Sequence, residues 1–348
     1  MSGGDGTSRP SVTTRLAPGV LEIDTRLGGW DRMTAGYLIE GERPVLVETG
    51  SQSSIETLLR ALADLGLGPG DLAGVAVTHV HLDHAGGVGD VARAFPNATV
   101  YVHPKGARHL ADPARLVDSA SRVYGPLLDS LYGRLDPTPP ERIAVLDDGD
   151  EIPTGGGRVL RAIDSPGHAK HHLALLDSSS GYLFAGDAVG VKLPDGGRLR
   201  PATPPPDFDL DQAINSLHRF AGRRPQGLAL AHYGLLEVDA TEVLEEAEET
   251  LRGWAAVAER AWRNGEDIAA ALEKEYSADL DEVDPSNREK LETLNGVHSN
   301  AAGFRRWLET RRSPADAIGS GTHQAGHTEA DSTKAGHTKE RRRTNEGG

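Results

Sequence analysis

The stretch that most constrains this chain is Thr78-His79-Val80-His81-Leu82-Asp83-His84-Ala85-Gly86-Gly87, which follows the short apolar run Gly74-Val75-Ala76-Val77. An apolar run of that length, bounded by polar residues and glycine, reads as a buried strand. His79 and His81 are two residues apart, so an extended backbone turns both imidazoles to one side. Asp83 and His84 then need a tight loop to swing round to a neighbouring point. Gly86 and Gly87 permit that loop and the start of a following helix. Imidazole plus carboxylate is a ligand set that zinc and iron accept. A polar strand end with merely exposed histidines would explain one such residue, not three histidines and an aspartate within six positions.

With 348 residues the chain can build one large domain plus an extension. It has no cysteine, which excludes disulfides and thiolate ligands and leaves histidine and carboxylate as the metal-binding set. The hydrophobic fraction of 37% is low for a globular chain, partly because both ends are polar. No apolar run approaches the ~20 residues of a membrane span. The polar stretch from Met1 to Pro18 lacks the apolar core of a signal peptide, so a cytoplasmic protein without a membrane partner is expected. A net charge of −15 disfavours a non-specific polyanion binder, and no nucleic-acid partner is expected.

Periodicity organises the rest. Residues 1–11 read as disordered. Strands are expected at 20–23, 36–39 and 44–47, a helix at 54–65 with Ile55, Leu58, Leu59 and Leu62 on one face, a helix at 88–95 and a strand at 98–103. His103, at the end of that strand, is either a site-lining residue or an ordinary exposed histidine. Residues 114–135 read as one helical insertion whose apolar stripe packs on the core or roofs a cleft. Strands at 143–146 and 158–163 and a hairpin 173–176/182–184 follow. The proline-rich stretch 198–208 should be stiff and extended, before a helix at 209–220 and a strand at 227–232. Three helices follow, at 240–264, 268–276 and from Asp284-Pro285 to about 312, the last opened by an Asp cap and a first-turn proline. From Ser313 the composition is that of a disordered tail; its His323, His327 and His337 are loose metal binders or simply solvated. The domain plan is therefore 1–11 disordered, 12–236 core domain, 237–312 helical extension and 313–348 tail.

His-x-His-x-Asp-His after a strand, followed by Gly-Gly, resembles the signature of the metallo-β-lactamase-fold hydrolases, a broad group that includes glyoxalase II-like enzymes. Three further pieces stand in the order the resemblance requires: Ser165-Pro166-Gly167-His168, then Gly186-Asp187 after Leu183-Phe184-Ala185, then Leu228-Ala229-Leu230-Ala231-His232. The similarity covers roughly residues 15–236. Thr203-Pro204-Pro205-Pro206 with Asp209-Leu210, and Tyr233-Gly234 after the last histidine, resemble one subgroup of the family with no assigned substrate. Glu48-Thr49-Gly50 stands where the family usually has Asp-Thr-Gly. Glu48 is one methylene longer, and it is either a buried partner of the metal loop or a surface turn carboxylate.

The resemblance implies an α/β protein, an αβ/βα four-layer sandwich of two mixed sheets with helices outside and the site at one edge. The C-terminal helices would serve as a cleft wall or a homodimer surface. It also implies two divalent metal ions, zinc first, with iron or manganese as alternatives: His79, His81 and His168 would hold one, Asp83, His84 and His232 the other, and Asp187 would bridge. Two such ions ~3.5–4 Å apart can share a hydroxide, the expected nucleophile, while Asp83 passes a proton to the leaving group as the catalytic acid–base. No nucleophile-elbow motif is present. Lys192, Arg198 and Arg200 are offered for an anionic tail of a small-molecule substrate, Phe208 for apolar contact and Tyr233 for a hydrogen bond to the oxyanion; each has a plain surface or packing alternative. The expectation is a dinuclear metal-dependent hydrolase of a small ester, thioester or lactone. Two alternatives stand beside it. One is a phosphodiesterase or nuclease, against which the acidic charge weighs. The other is a non-haem iron dioxygenase of the persulfide type, which the ligand identities leave open. The fold does not transfer a substrate.

Overall fold

The computed structural model describes residues 11–194, 197–281 and 283–311. Residues 1–10 and 312–348 lie outside the described residues, and with them His323, His327 and His337 and all but residue 11 of the two stretches, 1–11 and 313–348, for which the sequence predicts disorder.

Among the described residues, thirteen strands form two sheets. The first contains β1 (Thr13–Ala17), β2 (Val20–Asp24), β3 (Ala35–Ile39), β4 (Val45–Val47), β5 (Gly74–Ala76), β6 (Thr99–Val102) and β7 (Ile143–Val145), in sequence order. It is antiparallel from β1 to β4 and parallel from β4 to β7. The second runs in the order β13 (Gly234–Leu235), β12 (Gly227–Leu230), β11 (Tyr182–Gly186), β10 (Leu173–Asp177), β9 (Arg158–Asp164) and β8 (Glu151–Gly155), with β11 and β12 its parallel pair. The helices are α1 (Ile55–Asp64), α2 (Leu82–Ala85), α3 (Val88–Ala94), α4 (Pro104–Ala111), α5 (Ala114–Tyr124), α6 (Leu210–Arg223), α7 (Ala240–Asn264), α8 (Ile268–Glu275), α9 (Ser277–Asp281), α10 (Pro285–Asn295) and α11 (Val297–Arg311). No helix among the described residues is long and apolar enough to cross a membrane.

Successive residues of a pleated strand face opposite ways, and here they feed different cores. Tyr37, Ile39, Val45 and Val47 meet Leu160, Ala162, Leu173 and Phe184 between the sheets. Their neighbours Leu38 and Leu46 face Leu58 and Leu62 of α1 and Val91 of α3. On the outer face of the second sheet, Leu183 and Leu228 pack against Leu217 and Phe220 of α6 and Val243 and Leu244 of α7. The result is the expected αβ/βα four-layer sandwich. Arg158 ties the two sheets together. Its Nε and Nη2 donate to the buried Asp177 carboxylate at 2.8 and 2.6 Å, and its Nη1 donates to the carbonyls of Gly19 and Glu40 at 3.0 and 3.2 Å.

The structure departs from the sequence reading in several places. β1, β8, β13 and α4 are present where the periodicity gives no clear signal. The insertion is not one helix: α5 ends at Tyr124 because Gly125 adopts φ 51° and precedes Pro126, and a separate wide helical turn, Leu128–Tyr132, buries Leu128, Leu131 and Tyr132 in the central core. The last helix breaks at Gly296, whose φ/ψ of −65°/150° is extended.

The C-terminal helices are covered by the chain itself. Phe304 and Trp307 of α11 bury themselves with Phe208, Ala213 of α6, and Trp254 and Ala258 of α7. The approach to the proline loop is close enough that a Cβ at Gly303 would run into the Thr203 carbonyl. Asn300 Oδ1 accepts from the Thr203 backbone N–H at 2.7 Å and from its hydroxyl at 2.8 Å, while Asn295 Nδ2 donates to the Pro201 carbonyl at 3.1 Å. The extension thus clamps residues 201–203 from outside.

Candidate metal centre

Each ligand-type residue sits where a strand ends. β5 leads into Thr78–His81, and the short α2 carries Asp83 and His84. The segment after β9 carries His168, and Gly167 has φ +141°, where a side chain would run into the Ala213 backbone. Asp187 follows β11 and His232 follows β12. The structure brings together all seven residues that the sequence singles out: His79, His81 and His168 form one group, Asp83, His84 and His232 a second, and His79, His84 and Asp187 a third that overlaps both. Within each group one ligand atom per residue lies within 4.8 Å of the others.

The tautomers can be read from the outer hydrogen bonds. A carbonyl only accepts, so His168 donates from Nδ1 to Ala202 O (3.0 Å) and His232 donates from Nδ1 to Met33 O (2.8 Å). Their Nε2 lone pairs therefore point inward. His168 Nε2 lies 3.1 Å from His81 Nδ1, and His79 Nε2 lies 2.9 Å from that same atom. His232 Nε2 lies 3.2 Å from His84 Nε2. Converging imidazoles whose outer nitrogens are held by oxygen, as those of His79, His168 and His232 are, make the arrangement that orients metal ligands.

Asp187 spans both groups. Its Oδ1 is 3.5 Å from His84 Nε2 and 3.4 Å from His232 Nε2, and its Oδ2 is 3.6 Å from His168 Nε2. That Oδ1 is buried without a hydrogen-bond partner, a costly state for a carboxylate unless a cation serves it. Electrostatics agree. Burial, then the neighbouring imidazoles, holds His79 well below the usual histidine range and therefore neutral. Burial would lower His84 and His232 too, but Asp187 and Asp83 outweigh it and raise both. Asp83 and Asp187 stay ionised, because the surrounding histidines overcome a burial effect that alone would raise them. The residues fit a pair of divalent ions: imidazole nitrogens and carboxylate oxygens, converging, with the carboxylates calling for positive charge between them.

Glu48 is the buried alternative, not the surface one. It is 2% exposed, its Oε1 accepts from Thr78 N–H at 3.0 Å, and its Oε2 lies 3.6 Å from His84 Nδ1. Those last two atoms are both buried without a hydrogen-bond partner and face each other at ion-pair distance. Glu48 also holds φ 64°, a left-handed conformation that costs a non-glycine residue ~1–2 kcal/mol. Removing such an orienting group typically costs about 10–100-fold in metal affinity. Glu48→Ala is expected to show that loss in a chelator competition, and an unchanged affinity would show that His84 is oriented without it. Asn300→Ala is expected to cost ~1–3 kcal/mol in urea unfolding, because the buried Thr203 N–H loses its acceptor. It should also weaken metal binding by loosening the loop that supplies Ala202 O to His168. An unchanged midpoint and affinity would contradict the clamp.

His171 and His172 are both buried behind the cluster. His172 Nε2 accepts from the Asp187 backbone N–H at 3.2 Å, and its Nδ1 pairs with Ser165 Oγ at 2.8 Å. His171 is pushed down to about 4 by burial, and its Nδ1 faces Val80 N at 3.5 Å. His103 caps α4 through Lys105 N and lies 3.3 Å from Asp164, apart from the cluster.

Above the cluster opens a cavity of about 470 Å³, floored by His81, Asp83, His168, Asp187 and His232. α5, the proline loop and the α10–α11 junction wall it. Tyr124, which the sequence does not single out, lines it with its ring 4.4 Å from that of Tyr132; burial and then Asp83 push its phenol up to about 12, so it remains a donor. The side chains proposed from sequence for substrate do not line this cavity, although Phe208 borders a separate small pocket with His168 and Asp187. Arg200 binds Glu292 at 2.6 Å and the Asn295 carbonyl at 3.1 Å and stacks over Trp254. Arg198 lies near Asp279 at 3.9 Å. Phe208 packs on Phe304. Lys192 meets His232 through its backbone N–H, 2.6 Å from the His232 carbonyl, and does not line the cavity. Tyr233 lines a separate pocket with Glu22, Asp24 and Arg32.

Comparison with known proteins gives a consistent picture. The model of the metallo-beta-lactamase superfamily matches residues 29–232. A metallo-beta-lactamase fold-containing protein of Sulfurisphaera tokodaii is 29% identical over 215 residues, 60% of this chain and 75% of that protein. A hydroxyacylglutathione hydrolase of Aeromonas hydrophila is 33% identical over 153 residues, 44% of this chain and 45% of the relative. An acyl-coenzyme A thioesterase of Gallus gallus is 31% identical over 183 residues, 50% of this chain and 64% of the relative. Among solved structures, an archaeal metallo-beta-lactamase superfamily protein from Sulfolobus tokodaii superposes with a TM-score of 0.63 at 24% identity, over 82% of this chain and 98% of that one.

Proposed function

The chain belongs to the metallo-beta-lactamase superfamily, and from that premise we propose that it is a dinuclear metal-dependent hydrolase that cleaves a small carboxylic ester, thioester or lactone with water. The observation that carries the reading is the convergence of seven nitrogen- and oxygen-bearing side chains, five of them on the floor of a largely apolar cavity and His79 and His84 buried beneath it. The hydroxyacylglutathione hydrolase and acyl-coenzyme A thioesterase among the relatives support a carbonyl carbon as the electrophile.

Two divalent ions, zinc first, held by His79, His81 and His168 and by Asp83, His84 and His232, with Asp187 between them, would supply a Lewis acid and a water that ionises near neutral pH. The chain does the rest. Asp83 is ionised and partly open to the cavity. It can take the proton shed by the attacking water and return it to the leaving oxygen or sulfur as the acyl bond breaks. His168 and His232 are held in one tautomer by Ala202 and Met33. The apolar walls keep bulk water from competing with the substrate.

The test is turnover by zinc-loaded and iron-loaded protein on an aryl ester, a lactone, a thioester and an aryl phosphodiester, with oxygen uptake followed in the presence of a persulfide. Hydrolysis of at least one carboxylic substrate by the zinc form is the expected result. Turnover of the phosphodiester alone, or oxygen uptake by the iron form alone, would overturn the reading.

A further inference from the structure

We propose that the cavity above the metal cluster takes an uncharged apolar acyl chain, so that the substrate is a neutral ester or lactone and not a thioester of an anionic carrier; this rests on the hydrolase reading above.

The walls decide it. Leu116, Ala120 and Val123 of α5 face the cavity together with Pro205 of the stiff loop and Leu294 and Ala302 of the extension. Among the described residues that line it there is no lysine or arginine. Three cations flanking the walls are paired outside the cavity: Arg200 with Glu292 and the Asn295 carbonyl, Lys170 with Asp207 and Arg122 with Asp118, while Arg115 and Lys192 adjoin lining residues without lining the cavity themselves. His298, at the rim, is 81% exposed and lies 3.5 Å from Glu273. The two asparagines in the wall spend their amides within the fold, Asn295 on Pro201 and Asn300 on Thr203 and Asn295.

A carboxylate or phosphate at the far end of the acyl chain would lose water and meet no lysine or arginine among the described lining residues, only hydroxyls such as those of Ser119 and Tyr124, which do not neutralise its charge, and the net charge of −15 repels it at longer range. An alkyl chain loses nothing polar and gains burial. The volume of about 470 Å³ lies within the ~300–1,000 Å³ of small-ligand sites. Val123, 71% exposed on α5, is an apolar side chain that the described residues leave largely uncovered, as expected of a residue at the mouth of a cavity for an apolar ligand.

The experiment compares kcat/KM for aryl esters from acetate to decanoate, for the octanoyl ester and its ω-carboxylated counterpart, and for octanoyl thioesters of coenzyme A and of uncharged N-acetylcysteamine. Expected is a rise of about three- to fourfold per methylene until the cavity is filled, and at least a tenfold disadvantage for each charged member of a pair. Val123→Arg should shrink or reverse the disadvantage of the carboxylated ester. A flat length profile, or a preference for the coenzyme A thioester, would overturn the proposal. Binding of the neutral fluorophore N-phenylnaphthylamine to the full chain is the second readout, independent of turnover. Saturable binding displaced by decanol but not by the decanedioate dianion supports the apolar cavity even if every ester is inert, a result that would sink only the hydrolase reading. Failure to bind, or equal displacement by the dianion, would sink the cavity assignment whatever the esters do.

Discussion

Asp187→Ala is expected to lower bound metal from two ions per chain to one or none and to cut kcat/KM at least about a hundredfold. The magnitude follows from position. Loss of a group that only orients a ligand costs about 10–100-fold, and Asp187 itself faces both histidine groups, Oδ1 towards His84 and His232 and Oδ2 towards His168. The fold should survive the change, since Oδ1 makes no hydrogen bond within the protein and the backbone N–H that His172 holds is retained. Metal content by plasma emission, turnover and the thermal midpoint of metal-free protein can be read on the same preparation. A variant that keeps two ions and full turnover would show that Asp187 is not the bridge.

Arg158→Ala is expected to be the most destabilising single change away from the site, by ~3–5 kcal/mol, because it strands the Asp177 carboxylate in the interior. Asp177 is 0% exposed, and its other acceptor bonds come from Ser179 and Ser180 of the neighbouring turn. Burial would raise the Asp177 pKa, but the Arg158 guanidinium and the Ser180 hydroxyl and N–H outweigh it and hold the pKa below the ordinary value. Its contribution to stability is therefore fully present above the unfolded value of ~3.9 and is lost as pH falls through the lower folded value. Urea unfolding near neutral pH should show the full deficit of the variant, and the gap to the parent protein should narrow below about pH 4. The double change Arg158→Met with Asp177→Leu should cost less than Arg158→Ala alone, since it removes both charges together. A deficit under about 1 kcal/mol at neutral pH would mean that water or another donor serves Asp177.

The metal cluster is legible in the sequence because its parts are local signals: two histidines at strand spacing, Asp-His before Gly-Gly, and single ligands at three later strand ends. A sheet carries such ends to one edge, so the order of strands foretells the convergence. The substrate side is not legible in that way. Arg200, Phe208 and Tyr233 are neighbours of the site along the chain, but all three lie outside the regular strands, where no periodicity fixes the direction of a side chain. Glu292, Phe304 and Glu22, which engage or face those three, come from distant parts of the chain. Glu48 was undecidable from sequence, because only the approach of α2 to the end of β4 shows that its carboxylate faces His84. The breaks at Gly125-Pro126 and Gly296 did carry local signals, which the apolar stripes on either side masked. His172 carried none: only the return of β10 beside β11 places its ring behind Asp187.

The most direct test of the central claim, that seven side chains hold two ions at the foot of the cavity, is anomalous diffraction at the zinc edge from a zinc-loaded crystal. The account predicts two peaks, one among His79, His81 and His168 and one among Asp83, His84 and His232, with Asp187 touching both. A single peak away from Asp187, or none at these residues with zinc in excess, would contradict it.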